Sequence, residues 1–261
     1  MSNPKVSICM PAYNQPEFLR LVLESIVGQD FKDFELIISD DSTNDESTKV
    51  VDAYRSRIQS LIYFKNTPSK GSPQSWNEAI THGKGSYIKV MHNDDWFSSP
   101  SSLTKFVKML DEHPESDFAF CATYICGPDQ KILKTQTASS QELEKLKDSA
   151  TYLFGRNIIG APSVTMFRNT VKNKYYDPQM KWVVDVDQYV AILEENPHFQ
   201  YCTEPLVSTT DGALHQSSHS SVGLKNVELY EWLRLYSKSR KRHKNIKYRY
   251  FMWLYILFVL D

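Results

Sequence analysis

Gly85-Ser86-Tyr87-Ile88-Lys89-Val90-Met91-His92-Asn93-Asp94-Asp95-Trp96 is the stretch on which the fold turns. Gly85-Ser86 reads as a turn, and Tyr87 to Met91 as a short buried β-strand rich in apolar residues. Two adjacent carboxylates, Asp94 and Asp95, follow where that strand meets a loop. Like charges at that range repel unless something positive sits between them. A hard divalent cation, Mg²⁺ or Mn²⁺, is the usual partner, because it takes carboxylate oxygens and keeps positions open for substrate phosphates. The plainer reading is that one Asp merely caps the segment after the strand. The residues on either side decide between the two.

Upstream, strand and helix patterns alternate. Val6 to Pro11 is a strand, and Pro16 to Val27 fits an amphipathic helix with Phe18, Leu19, Val22, Leu23 and Ile26 on one side. Phe34 to Ser39 is a second strand, followed by Asp40-Asp41-Ser42-Thr43-Asn44-Asp45, a turn that also suits the start of a helix over Thr48 to Arg57. Leu61 to Lys65 is a third strand. Ser72 is placed to cap the next helix, with Pro73 at its first position. Strands separated by helices imply a mostly parallel, doubly wound α/β sheet.

Downstream the pattern loosens. Helices are expected over Pro100 to Glu112, Gln141 to Leu153 and Asp185 to Glu195, and from Lys225 onward. Strands are expected at Phe118 to Ile125, Ile132 to Thr135, Ser163 to Phe167, Phe199 to Cys202 and Leu206 to Ser208, with a polar loop from Asp211 to Ser221. The organisation predicted is a catalytic domain over 1–222, made of halves 1–97 and 98–222, and a helical tail over 223–261.

The chain has 261 residues, enough for one large α/β domain, and its net charge of −1 hides an asymmetry. Seven Lys or Arg and no acid lie between Lys238 and Arg249; the rest of the chain holds 23 basic against 31 acidic residues. The apolar aromatic run Tyr250 to Leu260 follows at once. That run is too short to span a bilayer, which needs about 20 apolar residues. A basic helix followed by aromatic residues fits an anchor on an anionic membrane surface; packing on the domain is the alternative. Nucleic acid is not expected as a partner, since nothing else in the chain supports it. The four scattered cysteines and the absence of a signal peptide point to a reduced, cytoplasmic setting, peripheral on the inner face of the cytoplasmic membrane.

Three polar clusters fall at carboxyl ends of predicted strands: Ala12-Tyr13-Asn14, Asp40-Asp41 and Asn93-Asp94-Asp95. In an open parallel sheet ligands bind beyond those ends, so the clusters converge on one crevice. Neither G-x-G-x-x-G nor G-x-x-x-x-G-K-[ST] occurs, so a nucleotide would be held by carboxylates and a metal.

These residues resemble family 2 glycosyltransferases, a GT-A-fold group that builds polysaccharides from nucleotide sugars. Val6 to Asn14 is similar to that family's opening strand, and Phe34 to Thr43 to its second strand with the Asp-Asp-x-Ser turn. Gly71 to Ile80 and Gly85 to Trp96 complete the order, with Asn93-Asp94-Asp95 at the D-x-D position. The resemblance implies a GT-A fold, a Rossmann-like sheet flanked by helices with a C-terminal helical extension. It implies a UDP- or dTDP-sugar donor bound by Pro11, Ala12, Tyr13, Asn14, Asp40, Asp41, Asn77, Asn93 and Asp94. Asp41 would hydrogen-bond the base, and Asp95 would be the principal ligand of Mn²⁺ or Mg²⁺.

The acceptor hydroxyl must lose a proton as it attacks, which calls for a carboxylate on the far side of the sugar. The family takes this base from an acidic motif at a helix start, which Trp182 to Tyr189 resembles. That puts Asp185 in the base role, with Asp187 as fallback and Trp182 stacking on an acceptor sugar. Gly160-Ala161-Pro162-Ser163 resembles the segment near acceptor and donor sugar. His215 and His219 lie near where some relatives place a metal-binding His, although Asp211 occupies about that position. The implied activity is inverting transfer of a hexose-type sugar to a saccharide, lipid-linked or growing surface polysaccharide. The alternative is a non-catalytic, membrane-associated relative that binds nucleotide sugars.

Overall fold

Every residue of Val6–Ala12 (β1) is buried, as a strand with both faces covered requires. In the computed structural model, which describes residues 3–212 and 225–242, the chain continues through Pro16–Val27 (α1), Phe34–Asp40 (β2), Glu46–Tyr54 (α2), Leu61–Lys65 (β3), Gln74–His82 (α3), Tyr87–Val90 (β4) and Trp96–Phe97 (β5). The second half adds Ser102–Asp111 (α4), Phe118–Cys126 (β6), Ile132–Gln136 (β7), Ser140–Asp148 (α5), Thr165–Arg168 (β8), Val184–Leu193 (α6), Phe199–Thr210 (β9) and Lys225–Arg242 (α7).

One sheet runs β3-β2-β1-β4-β8-β6-β9-β5, with β7 paired to β6. β3, β2, β1 and β4 are mutually parallel, so their carboxyl ends share one edge. The helices between them are the crossovers that parallel pairing demands. α1 buries Leu19, Val22, Leu23 and Ile26, a stripe at i, i+3, i+4 and i+7. Gly85, two residues before β4, lacks a side chain for a steric reason: a Cβ there would lie 2.5 Å from the Ser7 backbone nitrogen. Beyond β4 the sheet is mixed, as β8 runs antiparallel to both β4 and β6.

Several boundaries differ from the sequence reading. The helix expected over Gln141 to Leu153 starts at Ser140, fixed by a Ser139–Glu142 capping box, and stops at Asp148 because Ser149 turns extended. Residues Ala150–Phe154 form a 3₁₀ turn instead. The two short strands expected near residues 199–208 are one strand, β9, whose register slips where Pro205 faces Ala122. Proline has no N–H to give the ladder, which is why the hydrophobic pattern reads as broken there. β5, only two residues long and antiparallel to β9, escaped the sequence reading. Helix α3 starts at Gln74 with Pro73 at the cap, one residue later than expected, and Ser72 does not cap it.

The tail reading also changes. α7 turns Glu231, Trp232, Leu235, Tyr236 and Ser239 inward, one stripe at i, i+1, i+4, i+5 and i+8. Lys238, counted among cations for a membrane surface, instead ion-pairs with Asp177 and Asp187. This part of the tail therefore packs on the domain. The rest of the basic–aromatic run, 243–261, lies outside the described residues, as do His215 and His219. No described helix is long and apolar enough to cross a membrane.

Candidate active site

The ends of β1 and β2 are locked together by side chains. The Asp41 N–H donates to the Ala12 carbonyl at 2.9 Å. Asn14, at φ 45°, donates its N–H to Ser42 Oγ at 2.9 Å and accepts the Thr43 N–H on Oδ1 at 3.0 Å. The buried Asp41 carboxylate accepts Asn66 Nδ2 at 2.7 Å, the Lys70 N–H at 3.1 Å and the Gly71 N–H at 2.6 Å. It thus folds residues 66–71 over the end of β2. Pro11 and Ala12 are buried beside it and Tyr13 is 39% exposed.

Two residues expected at the nucleotide are committed elsewhere. Asp40 is fully buried; it accepts the Ser42 N–H at 2.9 Å and the Tyr63 hydroxyl at 2.8 Å. Asp40, the last residue of β2, turns to Tyr63, while Asp41, the first residue past the strand, turns to the 66–71 loop. Asn77 closes both ends of its carboxamide on the Tyr176 backbone, donating to the carbonyl at 2.8 Å and accepting the N–H at 2.9 Å. It is a clasp between α3 and the segment before α6.

At the end of β4, one ligand atom each from His92, Asp94 and Asp95 lie within 4.8 Å of one another. Asp95 is 4% exposed and accepts the Thr210 N–H at 3.1 Å. Burial and the charge of Asp94 raise its carboxyl well above the usual range. Burial and the nearby Lys89 push the His92 imidazole down to about 4, so it is neutral at physiological pH. Its Nε2 is buried with no hydrogen-bond partner, and so is Asn93 Nδ2. A neutral imidazole nitrogen without a partner beside two carboxylates is a donor set that fits a divalent cation such as Mn²⁺. His92 is the group the sequence reading missed; its place beside the acid pair was the available signal.

Beneath this cluster lies Lys89, fully buried. Its ammonium donates to the Ser163 carbonyl and, at 3.0 Å, to that of Val90. It also sits 5.0 Å from the Phe106 ring centre. Burial lowers it to about 7, and when protonated its charge acts on the Asp95 carboxylate.

The second cluster surrounds Asp185, in the first turn of α6. Its Oδ2 accepts Asn157 Nδ2 at 3.0 Å and its Oδ1 accepts the Val186 N–H at 2.8 Å. Burial raises its carboxyl to about 6. It lines a cavity of about 280 Å³ with Asn157, Arg156, Trp182 and Trp232. The two indoles meet edge to face at 5.7 Å. Asn157 also fixes the neighbouring bend, its Oδ1 accepting the Gly160 N–H at 2.9 Å, at a residue whose φ of +107° favours glycine. The fallback Asp187 is not in this cavity: it is 4% exposed and hydrogen-bonds Lys238 of α7. Two residues along a helix point about 200° apart, which separates it from Asp185.

Known proteins are similar to this chain in sequence and in fold. An uncharacterized glycosyltransferase of Methanocaldococcus jannaschii is 27% identical over 99% of this chain and 88% of its own length. The GalNAc(5)-diNAcBac-PP-undecaprenol beta-1,3-glucosyltransferase of Campylobacter jejuni is 32% identical over 40% of this chain and 34% of its own. The structure superposes on S. aureus TarS, solved with UDP-GlcNAc, at a TM-score of 0.68 and 19% identity, covering 88% of this chain and 65% of that one. That likeness gives the fold, which is the GT-A type expected. The profile of Glycosyl transferase family 2 matches residues 7–174. With that match, the strand-end motifs and the fold in agreement, the chain belongs to glycosyl transferase family 2 and is a glycosyltransferase.

Proposed function

We propose that the protein transfers a hexose-type sugar, with inversion, from a UDP- or dTDP-sugar to a saccharide acceptor carried on a lipid, in the synthesis of a surface polysaccharide. The observation that carries this reading is Asp185, a carboxyl raised to about 6 that opens into an aromatic-walled cavity. A base near that value is deprotonated at neutral pH yet basic enough to take a hydroxyl proton.

Asp185 accepts the proton of the acceptor hydroxyl as its oxygen bonds to the anomeric carbon. The bond to the nucleoside diphosphate breaks on the opposite face, which inverts the centre. Asn157 holds the carboxylate in place through Oδ2, and Trp182, braced by Trp232, offers an indole surface to the acceptor ring. Asp95, Asp94 and His92, with Asn93 beside them, would hold a divalent ion, which would supply charge stabilisation to the leaving diphosphate. Asp41 uses three of about four acceptor positions on its own loop, leaving one for the N3–H of uracil or thymine. The basic–aromatic run 243–261 would meet anionic head groups on the inner face of the cytoplasmic membrane. The undecaprenol-linked substrate in the name of the Campylobacter relative agrees with such a location.

Melting curves with UDP-glucose, UDP-GlcNAc, dTDP-glucose and GDP-mannose, with and without Mn²⁺, test the donor site. A uridine or thymidine donor should stabilise the protein only when the metal is present. No shift from any of them with metal rules the assignment out. Asp185→Asn should keep that shift and lose about 10²–10⁴-fold in turnover.

A further inference from the structure

The backbone turn leading into α6 aims three consecutive N–H groups, those of Lys181, Trp182 and Val183, at one carboxylate from another helix. Glu231 of α7 accepts them at 2.8, 2.8 and 3.0 Å, and it is 2% exposed. Successive N–H groups of this kind form an anion-binding nest, and a buried carboxylate left without such donors would be costly. α6 has no cap of its own to do this work, since its cap position is Val183, with no side-chain hydrogen bond. The neighbouring Trp232 on α7 walls the cavity beside Asp185, and so does Trp182. Arg234 and Lys238 hold α7 to Asp177, with Arg234 Nε at 2.7 Å and Lys238 Nζ at 3.0 Å. The nest, the cavity wall and the ion pairs therefore come from one helix.

We propose that Glu231 is a positioning residue for sugar transfer: by gathering the 181–183 N–H groups, it fixes where α6 begins and so where Asp185 meets the acceptor. This rests on Asp185 being the transfer base. Asp185 is faced by Asn157, by Arg156 on the cavity wall, by Glu231, and by the hydroxyls of Tyr176 and Tyr189, both pushed up by burial and then by its charge; Asp187 on its own helix pairs with Lys238. Glu231 adds negative charge to this surround and contributes to raising the Asp185 carboxyl, after burial.

The test uses the full chain with Glu231→Gln, an isostere that offers one acceptor oxygen instead of two. Carbon-13 NMR of Asp-labelled protein follows the Asp185 carboxyl, assigned by its absence in Asp185→Asn. UDP release from UDP-GlcNAc with Mn²⁺, water or saccharide accepting, gives kcat and donor KM. The expected result is an Asp185 midpoint moved to lower pH and kcat reduced about 10- to 100-fold with donor KM unchanged, since small misplacements of a reacting group cost that much. A folded Glu231→Gln protein with wild-type titration and wild-type kcat overturns the inference. If Glu231→Gln does not fold, Glu231→Asp carries the test: the shorter acid should keep the titration and lower kcat, and wild-type kcat counts against the proposal. Where UDP-GlcNAc is not turned over, kcat and donor KM are read with whichever donor gives the metal-dependent melting shift. Turnover surviving in Asp185→Asn would instead sink the base assignment, a result the Glu231 variants do not mimic.

Discussion

The Ser163 hydroxyl bridges the two halves of the site: it accepts the His92 N–H at 2.9 Å and donates to the Asp95 carboxylate. Ser163 comes from the turn before β8, and His92 and Asp95 from the loop after β4. The same residue's carbonyl takes the Lys89 ammonium. One fully buried serine thus holds the loop after β4, the Asp95 carboxylate and the Lys89 side chain beneath.

Ser163→Ala should therefore weaken metal binding while leaving the fold intact. Groups that orient a metal ligand are worth about 10- to 100-fold in affinity. The midpoint of Mn²⁺ titration, read from the melting shift in saturating UDP, should move by that factor. An unchanged midpoint would show that Asp95 needs no help from this hydroxyl.

Asp95 itself should destabilise the metal-free protein at neutral pH. Its folded carboxyl is raised above the unfolded value of about 3.9 by burial and by Asp94. The favourable state is the protonated one, present at low pH and lost as pH rises through the folded value. Asp95→Asn keeps the shape and an acceptor for the Thr210 N–H. Without metal it should melt above the wild type in alkaline buffer, with the gap closing toward pH 4; with Mn²⁺ and UDP the order should reverse. A variant that melts lower than wild type in metal-free alkaline buffer would contradict this.

Much of the site was legible because its chemistry sits at strand ends, where periodicity locates it. The Asp94–Asp95 pair after β4 and Asp185 at the head of α6 stand where the sequence put them. Asp40 and Asn77, expected at the nucleotide, show how polar residues close to a crevice also serve as clasps: Asp40 bonds Tyr63 and Asn77 the Tyr176 backbone. Which role a residue takes depends on the direction of its side chain, and contacts distant in sequence set that direction. His92 stands beside the acid pair in the sequence, but that its buried Nε2 lacks a partner shows only in the fold. Glu231, 46 positions after Asp185 in the numbering, has no sequence signature at all; only packing brings α7 to the turn before α6.

Turnover should rise with pH along an acid limb centred near 6, the value to which burial raises Asp185. The base acts only when deprotonated, so activity is lost below that point and levels above it. The limb should be visible in kcat at saturating donor, where metal and nucleotide binding no longer limit the rate. A flat profile across this range would assign the proton to another group.

Asp177 is where the C-terminal helix is pinned to the domain, and removing its charge should loosen that attachment. It is 7% exposed and accepts Arg234 Nε at 2.7 Å, Lys238 Nζ at 3.0 Å and the Gln179 N–H at 3.0 Å. Burial alone would raise this carboxyl, but Arg234, the Gln179 N–H and Lys238 outweigh it and hold it at about 2. A depressed carboxyl stabilises the fold above its unfolded value, and that contribution is lost as pH falls through the folded one. Asp177→Asn should cost about 2 kcal/mol at neutral pH, given charged hydrogen bonds that are partly open to water. For a chain of this size that is roughly 4–8 °C in Tm. The gap should narrow as pH drops from about 4 toward 2, where the wild-type carboxyl also loses its charge. A penalty that stays constant down to that pH would mean the loss comes from packing and not from the ion pairs that fasten α7.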